Sequence, residues 1–184
     1  MRKPLRTFFA LWPDESLRDE LAAKAGAVAK TTGGRSPRAD AIHLTLVFIG
    51  ATPEDRVAAL CAMMDAIQVP AFTLAFDRLG WFRHNRVAWA GIHSPPEPLL
   101  DLQRALARGA GRLGFSLDVR PYVPHLTLAR DALRAPAAVP VSPLEWRAES
   151  FVLVASELRP DGPRYRILHQ APLHAEQTSS SENC

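Results

Sequence analysis

The chain has 184 residues, with 22 lysines and arginines against 19 aspartates and glutamates, and a net charge of +3 at pH 7. Hydrophobic residues make up 47% and charged residues 22%, a balance that excludes a disordered or fibrous chain. A chain of this length buries enough surface to fold without disulfides or metals. These values predict a globular protein with a single domain.

The cysteines and the N-terminal segment indicate a cytoplasmic location. Cys61 and Cys184 are too few for the disulfide framework of a small secreted protein, and no Cys-x-x-Cys spacing occurs. The apolar run that follows the basic N-terminus stops at Pro13, which is too early for a signal peptide. No stretch approaches the roughly 18 apolar residues of a membrane span, so we expect no membrane partner.

The basic residues are mostly of one kind, because only three are lysines and nineteen are arginines. Arginine binds phosphate through a planar pair of donors, which favours a phosphate-containing partner. The same excess also follows from the base composition of some genomes, and a net charge of +3 is too small to identify nucleic acid as the partner. The charge therefore leaves the partner open.

The first half of the chain alternates strand-like and helical segments. Pro13 ends an aromatic, apolar run that suits a strand, and Asp14 or Ser16 can cap the helix that follows. Thr52 and Pro53 are typical of a helix start. The predicted elements are strand 5–12, helix 14–31, loop 33–40, strand 42–49 and helix 52–67, with Cys61 on the core face of this second helix.

The second half contains more strands than helices. Residues 71–79 and 86–92 predict a hairpin joined through 80–85, and a third helix runs from the proline pair at 95–96 to Gly114. Because strands and helices neither alternate strictly nor separate fully, we expect an α+β fold with antiparallel pairing. The remaining predicted elements are strands at 123–130, 151–158 and 165–168, then a disordered polar tail at 175–184 beyond a folded domain at 1–174.

One tetrapeptide, His-Leu-Thr-Leu, occurs at residues 43–46 and again at residues 125–128, both in predicted strands. A single His-x-Thr in a strand is usually structural, but an identical repeat at this distance indicates a duplicated unit. Side chains alternate along a strand, so the histidine and threonine of each motif share one face and the leucines share the other. Each motif therefore displays an imidazole beside a hydroxyl on a rigid element.

Two histidines displayed in this way suit general acid and base catalysis, because an imidazole titrates near neutrality. For a phosphodiester, His43 and His125 can activate the attacking oxygen and protonate the leaving oxygen, while Thr45 and Thr127 donate to the nonbridging oxygens. The other four histidines lack the spacing of metal ligands, and a zinc site needs three or four ligands. We therefore expect no metal and no cofactor.

The paired His-x-Thr-x motifs resemble those of the 2H phosphoesterase superfamily, and more narrowly those of its bacterial RNA 2′,3′-cyclic phosphodiesterase branch, the LigT-like 2′-5′ RNA ligases. The flanking residues are also similar, at Arg6-Thr7-Phe8-Phe9-Ala10, Phe48-Ile49-Gly50, Pro124 and Ala129-Arg130. The resemblance extends over about residues 4–174. It implies two pseudo-symmetric antiparallel sheets with flanking helices around a central cleft.

The resemblance also implies an activity, the metal-independent hydrolysis of RNA or nucleotide 2′,3′-cyclic phosphate ends to 2′-phosphates. Some members are associated with reversible 2′-5′ joining of tRNA halves. By resemblance, His43 donates a proton to the leaving 3′ oxygen, His125 accepts one from water, and Thr45, Thr127 and Arg130 bind the phosphate. Strict alternation places Arg130 opposite the histidine face, so it reaches the cleft only where the strand ends or twists.

A nucleobase in the cleft needs an aromatic side chain to stack on. The candidates are Phe9, Phe48, Trp81 and Tyr122, although each is also a typical core residue. Arg35 and Arg38 precede the first motif, where they either guide an RNA backbone or are solvated loop charges.

Three other functions stay open on sequence alone. The first is a 2H enzyme for another small cyclic nucleotide or a 2′-5′ oligonucleotide, the second is a non-catalytic RNA-binding module, and the third is a metal-dependent hydrolase. The expected partner is RNA with a 2′,3′-cyclic phosphate end, including tRNA halves, or a cyclic nucleotide. No obligate protein partner is expected, and a monomer is predicted.

Overall fold

A computed structural model of the protein describes residues 4–118, 120–137, 144–160 and 162–174. The predicted tail at 175–184 lies outside these ranges. Two short 3-10 turns, Ala39–Ala41 and Glu54–Arg56, accompany the helices and strands. In chain order the described elements are β1 (Leu5–Leu11), α1 (Glu15–Thr32), β2 (Leu44–Thr52), α2 (Val57–Asp65), β3 (Phe72–Phe76), β4 (Arg78–Phe82), β5 (Val87–Gly91), α3 (Glu97–Arg112), β6 (His125–Ala129), β7 (Leu144–Ala148), β8 (Ser150–Arg159) and β9 (Gly162–Pro172).

Seven strands form one sheet in the order β4-β5-β6-β2-β1-β8-β9, and β3 pairs with β7 in a separate two-stranded sheet. Every pairing between these named strands is antiparallel, which confirms the predicted α+β class. The motif strands β2 and β6 are neighbours at the centre of the large sheet, where Leu44 lies opposite Leu126. Each has its own outer partner, β1 for β2 and β5 for β6. The two halves of the sheet therefore meet at the repeated motif.

The side chains of β1 show how the two faces of the sheet differ. Phe9 and Leu11 are fully buried in the main core, which also contains the apolar residues of all three helices. Phe8 and Ala10 point to the other face, where they form a smaller cluster with residues of β8. One face is thus covered by helices, and the other is left for the site described below.

Two of the helices, α1 and α3, begin and end close to the local signals of the sequence. The Asp14 carboxylate caps α1 by accepting a hydrogen bond from the Leu17 backbone N–H at 2.8 Å. Gly33 ends α1 in a left-handed conformation, at φ +69°. α3 follows the proline pair and buries an apolar face that consists of Leu99, Leu102, Leu106 and Ala110. Among the described residues, no helix is long and apolar enough to cross a membrane.

The predicted hairpin between residues 71–79 and 86–92 is wrong. The segment divides at Asp77, so that β3 leaves for the small sheet while β4 forms the hairpin with β5. Gly80, which the prediction places in the turn, lies within β4 opposite Trp89. A Cβ atom there would be 2.1 Å from the Trp89 ring. Close packing against an aromatic ring, and not a turn, explains this glycine.

Two strands are longer than predicted, and a third has no counterpart in the prediction. β2 continues beyond Ile49 to Thr52, so α2 begins only at Val57, after a 3-10 turn. β9 is much longer than the predicted 165–168, and β7 was not predicted at all. Cys61 is half-buried and packs against the main core as predicted, and burial raises the pKa of its thiol.

Candidate active site

The two motifs lie side by side because their strands are paired through the leucines. Leu44 and Leu126 are fully buried in the main core. Side-chain alternation therefore sends the histidine and threonine of both motifs to the opposite face of the sheet. Continuing the antiparallel register by one residue sets His43 beside Thr127 and Thr45 beside His125. The structure thus brings the four repeated polar side chains together around a pseudo-twofold axis.

Both imidazoles are held by the same local hydrogen bond. Nδ1 of His43 donates to the Ala41 carbonyl at 2.8 Å, and Nδ1 of His125 donates to the Val123 carbonyl at 2.7 Å. A ring nitrogen that faces a carbonyl must carry the proton, which leaves Nε2 of a neutral imidazole as an acceptor. Each histidine therefore has its Nε2 atom available for proton transfer.

The ring contacts of the two histidines differ. His43 stacks on Trp12 with 5.0 Å between ring centroids and 3° between ring planes. Phe8 lies 4.9 Å from the same imidazole, and Tyr165 meets it edge-on at 5.0 Å. These three aromatic residues form what we call the aromatic wall.

His125 has a more open setting. The ring of Phe82 contacts it edge-on at 5.1 Å, and Trp89 lies farther away at 6.3 Å. Its imidazole has aromatic contacts on fewer sides than that of His43.

This difference appears in the electrostatics. The pKa of His43 is lowered to about 4, mainly by burial; the hydrogen bond to the Ala41 carbonyl opposes this shift, and the positive charges of Arg130 and His125 contribute to it. Burial also lowers the pKa of His125, and Arg130 adds to that effect. Both imidazoles are therefore mainly neutral at pH 7 in the unliganded site. A bound phosphate anion would raise both pKa values, because it stabilises the imidazolium.

Arg130 reaches the histidine face because β6 contains a β-bulge. Thr127 lies opposite Trp89 and Ala129 lies opposite Ala88, so Leu128 is an extra residue in the strand. Leu128 and Ala129 are both buried, and the alternation then restarts with Arg130 on the side of Thr127. The influence of its charge on both histidines agrees with this position. The bulge supplies the twist that the sequence alone did not reveal.

The same bulge occurs after the first motif. Thr45 lies opposite Ala10 and Val47 lies opposite Phe9, so Leu46 is the extra residue in β2. The residue that follows the bulge is Phe48, whose side chain is 42% exposed. Phe48 is therefore the counterpart of Arg130 in the other half of the sheet. The Arg6 guanidinium lies 4.8 Å from the centroid of the Phe48 ring.

The structure separates the predicted stacking candidates. Phe9 is fully buried on the helix-covered face, so the prediction that it stacks on a base is wrong. Trp81 packs near Ala88 and Ala129, a buried cluster on that same face. Tyr122 is half-buried, and its hydroxyl donates a hydrogen bond to the Thr45 carbonyl at 3.3 Å. This bond holds the backbone of the first motif strand. Burial raises the Tyr122 pKa. Phe48 is the candidate whose ring is exposed beside the site.

The sequence did not predict the aromatic wall, because its three residues belong to no recognisable motif. Phe8 and Trp12 could have been found by alternation, since they lie two residues on either side of Ala10, and Phe9 and Leu11 face the core. Tyr165 comes from a distant strand, and nothing in the sequence pattern indicates that it lies beside His43.

Within the described ranges, no three His, Cys, Asp or Glu side chains are grouped so that they could hold a metal ion. Catalysis without a metal stays a prediction, tested below.

Comparison with known proteins identifies the family. The sequence model of the 2′-5′ RNA ligase superfamily matches residues 13–159. The chain is 34% identical to the RNA 2′,3′-cyclic phosphodiesterase of Escherichia coli K12 over 170 residues, covering 91% of this chain and 96% of that protein.

Solved structures agree with the sequence comparison. The crystal structure of a phosphoesterase matches with a TM-score of 0.85 at 32% identity, covering 93% of this chain and 99% of the other. The crystal structure of E. coli LigT complexed with 3′-AMP matches with a TM-score of 0.80 at 33% identity, covering 92% and 98%. The resemblance carried by the paired motifs is thereby confirmed, and the chain belongs to the 2′-5′ RNA ligase superfamily, the LigT-like 2H phosphoesterases.

Proposed function

We propose that this protein hydrolyses RNA or nucleotide 2′,3′-cyclic phosphate ends to 2′-phosphates. One observation carries the proposal. The pairing of Leu44 with Leu126 brings two imidazoles with free Nε2 atoms and two hydroxyls to one face of the sheet. The names of relatives such as the E. coli RNA 2′,3′-cyclic phosphodiesterase support the substrate assignment.

The two histidines act as base and acid in this reaction. Nε2 of His125 accepts a proton from the attacking water, whose oxygen forms a bond to phosphorus. The bond from phosphorus to the 3′ oxygen breaks, and His43 gives its proton to that oxygen, which leaves a 2′-phosphate. These assignments follow the family resemblance. The low pKa of His43 supports its role as the acid. The bound phosphate stabilises the protonated form of the imidazole, and an imidazolium with an intrinsically low pKa then gives up its proton readily.

The phosphate is held by groups from both halves of the sheet. The hydroxyls of Thr45 and Thr127 donate to its nonbridging oxygens, and Arg130 provides the positive charge that stabilises the transition state. Arg130 suits this role because the bulge in β6 turns it toward both histidines. Phe48 offers the terminal base an exposed ring on the side of the first motif.

The finer expectations about the setting belong to the same proposal. We place the enzyme in the cytoplasm as a monomer, acting on RNA with a 2′,3′-cyclic phosphate end, and we include reversible 2′-5′ ligation as the reverse use of the same two histidines. The low cysteine content supports this location. Size-exclusion chromatography with light scattering tests the oligomeric state, and incubation with tRNA halves tests ligation.

The main experiment is turnover of cytidine 2′,3′-cyclic phosphate in excess EDTA, with the product identified by phosphorus NMR. We expect a 2′-phosphate as the only product and no loss of rate on chelation. A 3′-phosphate would contradict the assignment of the leaving oxygen, and loss of activity on chelation would contradict the metal-independent mechanism. Binding without turnover would favour the non-catalytic RNA-binding module.

A further inference from the structure

Two arginines bind the carboxylate of Asp131, which comes directly after the second motif and Arg130. Arg35 donates from Nε and Nη2 to Oδ2 of Asp131, at 3.1 and 2.5 Å. Arg86 donates from Nη2 to Oδ1 of the same carboxylate at 3.5 Å. Arg130 is the preceding residue in the chain. The Asp131 carboxylate therefore hydrogen-bonds two arginine side chains, and the hydrogen bond from Arg35, aided by the nearby charges of Arg86 and Arg130, keeps the pKa of this carboxyl below its usual range.

Backbone hydrogen bonds fix the three segments that carry these side chains. Arg35 and Arg130 exchange two backbone bonds, at 2.7 and 2.9 Å, and the Ala132 N–H donates to the Arg86 carbonyl at 2.9 Å. A Cβ at Gly34 would lie 2.7 Å from the Arg130 carbonyl oxygen, so only glycine permits this approach. The loop after α1, the turn between β4 and β5, and the end of β6 are thus joined at one point.

Two residues of this cluster have a backbone conformation that is unfavourable for residues other than glycine. Arg86 at φ +55° and Asp131 at φ +56° are the non-glycine residues with positive φ in the described part of the chain. A side chain with a Cβ atom adopts this left-handed conformation at a cost in free energy. Strain of this kind persists where surrounding contacts hold it and is concentrated at functional sites. Here both strained residues contact each other.

The arginine side chains remain open to a ligand. The Arg35 side chain is 81% exposed and that of Arg86 is 56% exposed. A guanidinium has five N–H donors, and Asp131 engages two donors of Arg35 and one of Arg86. The remaining donors can bind a second anion, and phosphate matches their planar geometry. One carboxylate among three cations leaves an excess of positive charge.

The position of the cluster relates it to the reacting phosphate. The ring of Phe82 contacts His125, and the turn that carries Arg86 follows Phe82 directly. Arg130, on the other side of the cluster, influences both histidines electrostatically. The cluster therefore lies beside the second motif, whereas the aromatic wall surrounds the first.

We propose that Arg35 and Arg86, oriented by Asp131, form a second phosphate subsite for single-stranded RNA. It binds the phosphodiester on the 5′ side of the nucleotide that carries the cyclic phosphate, and it rests on the proposed function above. An oligoribonucleotide with a cyclic phosphate end then binds more tightly than a mononucleotide, because only the oligonucleotide has this second phosphate.

The kinetic test compares cytidine 2′,3′-cyclic phosphate with a four-nucleotide RNA that ends in the same group. For the double variant Arg35→Ala and Arg86→Ala, we expect the oligonucleotide KM to rise about tenfold relative to the mononucleotide KM, the effect of lost charged hydrogen bonds. The slope of log KM against log salt for the oligonucleotide should fall by about 0.7, the value for one phosphate contact on a single strand. The control variant is Arg108→Ala with Arg112→Ala, two exposed arginines of α3 on the helix-covered face. This control should leave both the KM ratio and the salt slope unchanged.

A second variant separates binding from folding. Arg86→Gly removes the side chain but tolerates positive φ, so we expect an unchanged or higher melting temperature together with a higher oligonucleotide KM. Equal effects on both substrates, or no change in the KM ratio in the double variant, would overturn the subsite.

A binding measurement keeps this result separate from the proposed activity. Fluorescence anisotropy with a labelled four-nucleotide RNA ending in a 2′-phosphate needs no turnover. If the wild type hydrolyses neither substrate but the double variant still binds this RNA about tenfold more weakly, the proposed activity fails and the subsite stands. Unchanged RNA affinity in the double variant overturns the subsite whatever the activity.

Discussion

Trp12 stacks in parallel on His43, whereas His125 meets the edge of Phe82, and this contrast extends to the whole surroundings of the two motifs. The backbone is duplicated on both sides, with an Nδ1 hydrogen bond to the carbonyl two residues earlier and a bulge after each threonine. The side chains around it have diverged. The first half has aromatic rings that desolvate its histidine, and the second half has arginines. The duplicated frame sets the positions of the motif histidines and threonines, and in the proposed reaction the divergent surroundings give each half its own task.

The largest expected effect on activity comes from removing a motif histidine, the side chain that both halves of the sheet share. Replacing His43 or His125 with alanine should lower kcat by at least roughly 100-fold, the lower range for a general acid or base. The measurement is turnover of cytidine 2′,3′-cyclic phosphate, with circular dichroism as a control for folding. A nearly normal rate in either variant would show that the corresponding histidine is not part of the acid and base pair.

Removing the charge of the second half should have the next largest effect. Arg130→Ala is expected to reduce kcat/KM by about 10- to 100-fold, because a charged hydrogen-bond partner of the phosphate is lost. Inorganic phosphate should inhibit this variant more weakly than the wild type. Arg112→Ala, on the helix-covered face, is the matched control. If the two variants behave alike, Arg130 does not contact the phosphate.

Phe48 occupies the position in the first half that Arg130 occupies in the second. Replacing its ring tests whether the two residues have different tasks. Phe48→Leu should raise KM about tenfold, within the range measured for one base stacked on an aromatic ring, while kcat changes little. Michaelis–Menten kinetics with nucleotides of different bases provides the measurement. Equal KM values in variant and wild type would place the base elsewhere.

The smallest effect concerns the proton affinities of the two histidines. Trp12→Ala should admit water to His43 and raise its pKa from about 4 toward the ordinary value near 6.5. NMR titration of the imidazole protons measures this shift, with His125 as the reference in the same molecule. A pKa of His43 that stays near 4 would show that the aromatic wall is not what desolvates it.

The lowered pKa of His43 also makes the stability of the fold depend on pH, and the direction of that dependence follows from the direction of the pKa shift. Between about pH 6.5 and pH 4 the unfolded chain binds a proton at His43 that the folded chain does not bind. This site therefore makes the free energy of unfolding rise with pH across that window. Urea unfolding at several pH values should show a smaller rise for Trp12→Ala than for the wild type.

The sequence predicted the positions of the four motif side chains because period-two alternation operates within a few residues. Duplication then implied that both motifs belong to one site, which the pairing of Leu44 with Leu126 provides. The three helices were predicted for the same reason, since caps and apolar periodicity are local.

The remaining features depend on pairing between distant strands. A bulge is visible only when the partner strand is known, so the orientation of Arg130 could not be derived from its own segment. The choice of Phe9 instead of Phe8 is a one-residue error that reverses the face of the strand. The mistaken hairpin has the same origin, because β3 pairs with a strand about seventy residues later in the chain.

The repeated bulge has a consequence for how such a site can change over evolution. The position that follows each bulge lies on the face of the sheet that carries the histidines, while the two residues before it fill the core. Mutations at that position do not disturb packing, so selection can test new side chains there with little loss of folding free energy. Phe48 and Arg130 occupy the two copies of this position. A protein that duplicates a bulged strand thereby acquires two independently variable positions on one repeated backbone frame.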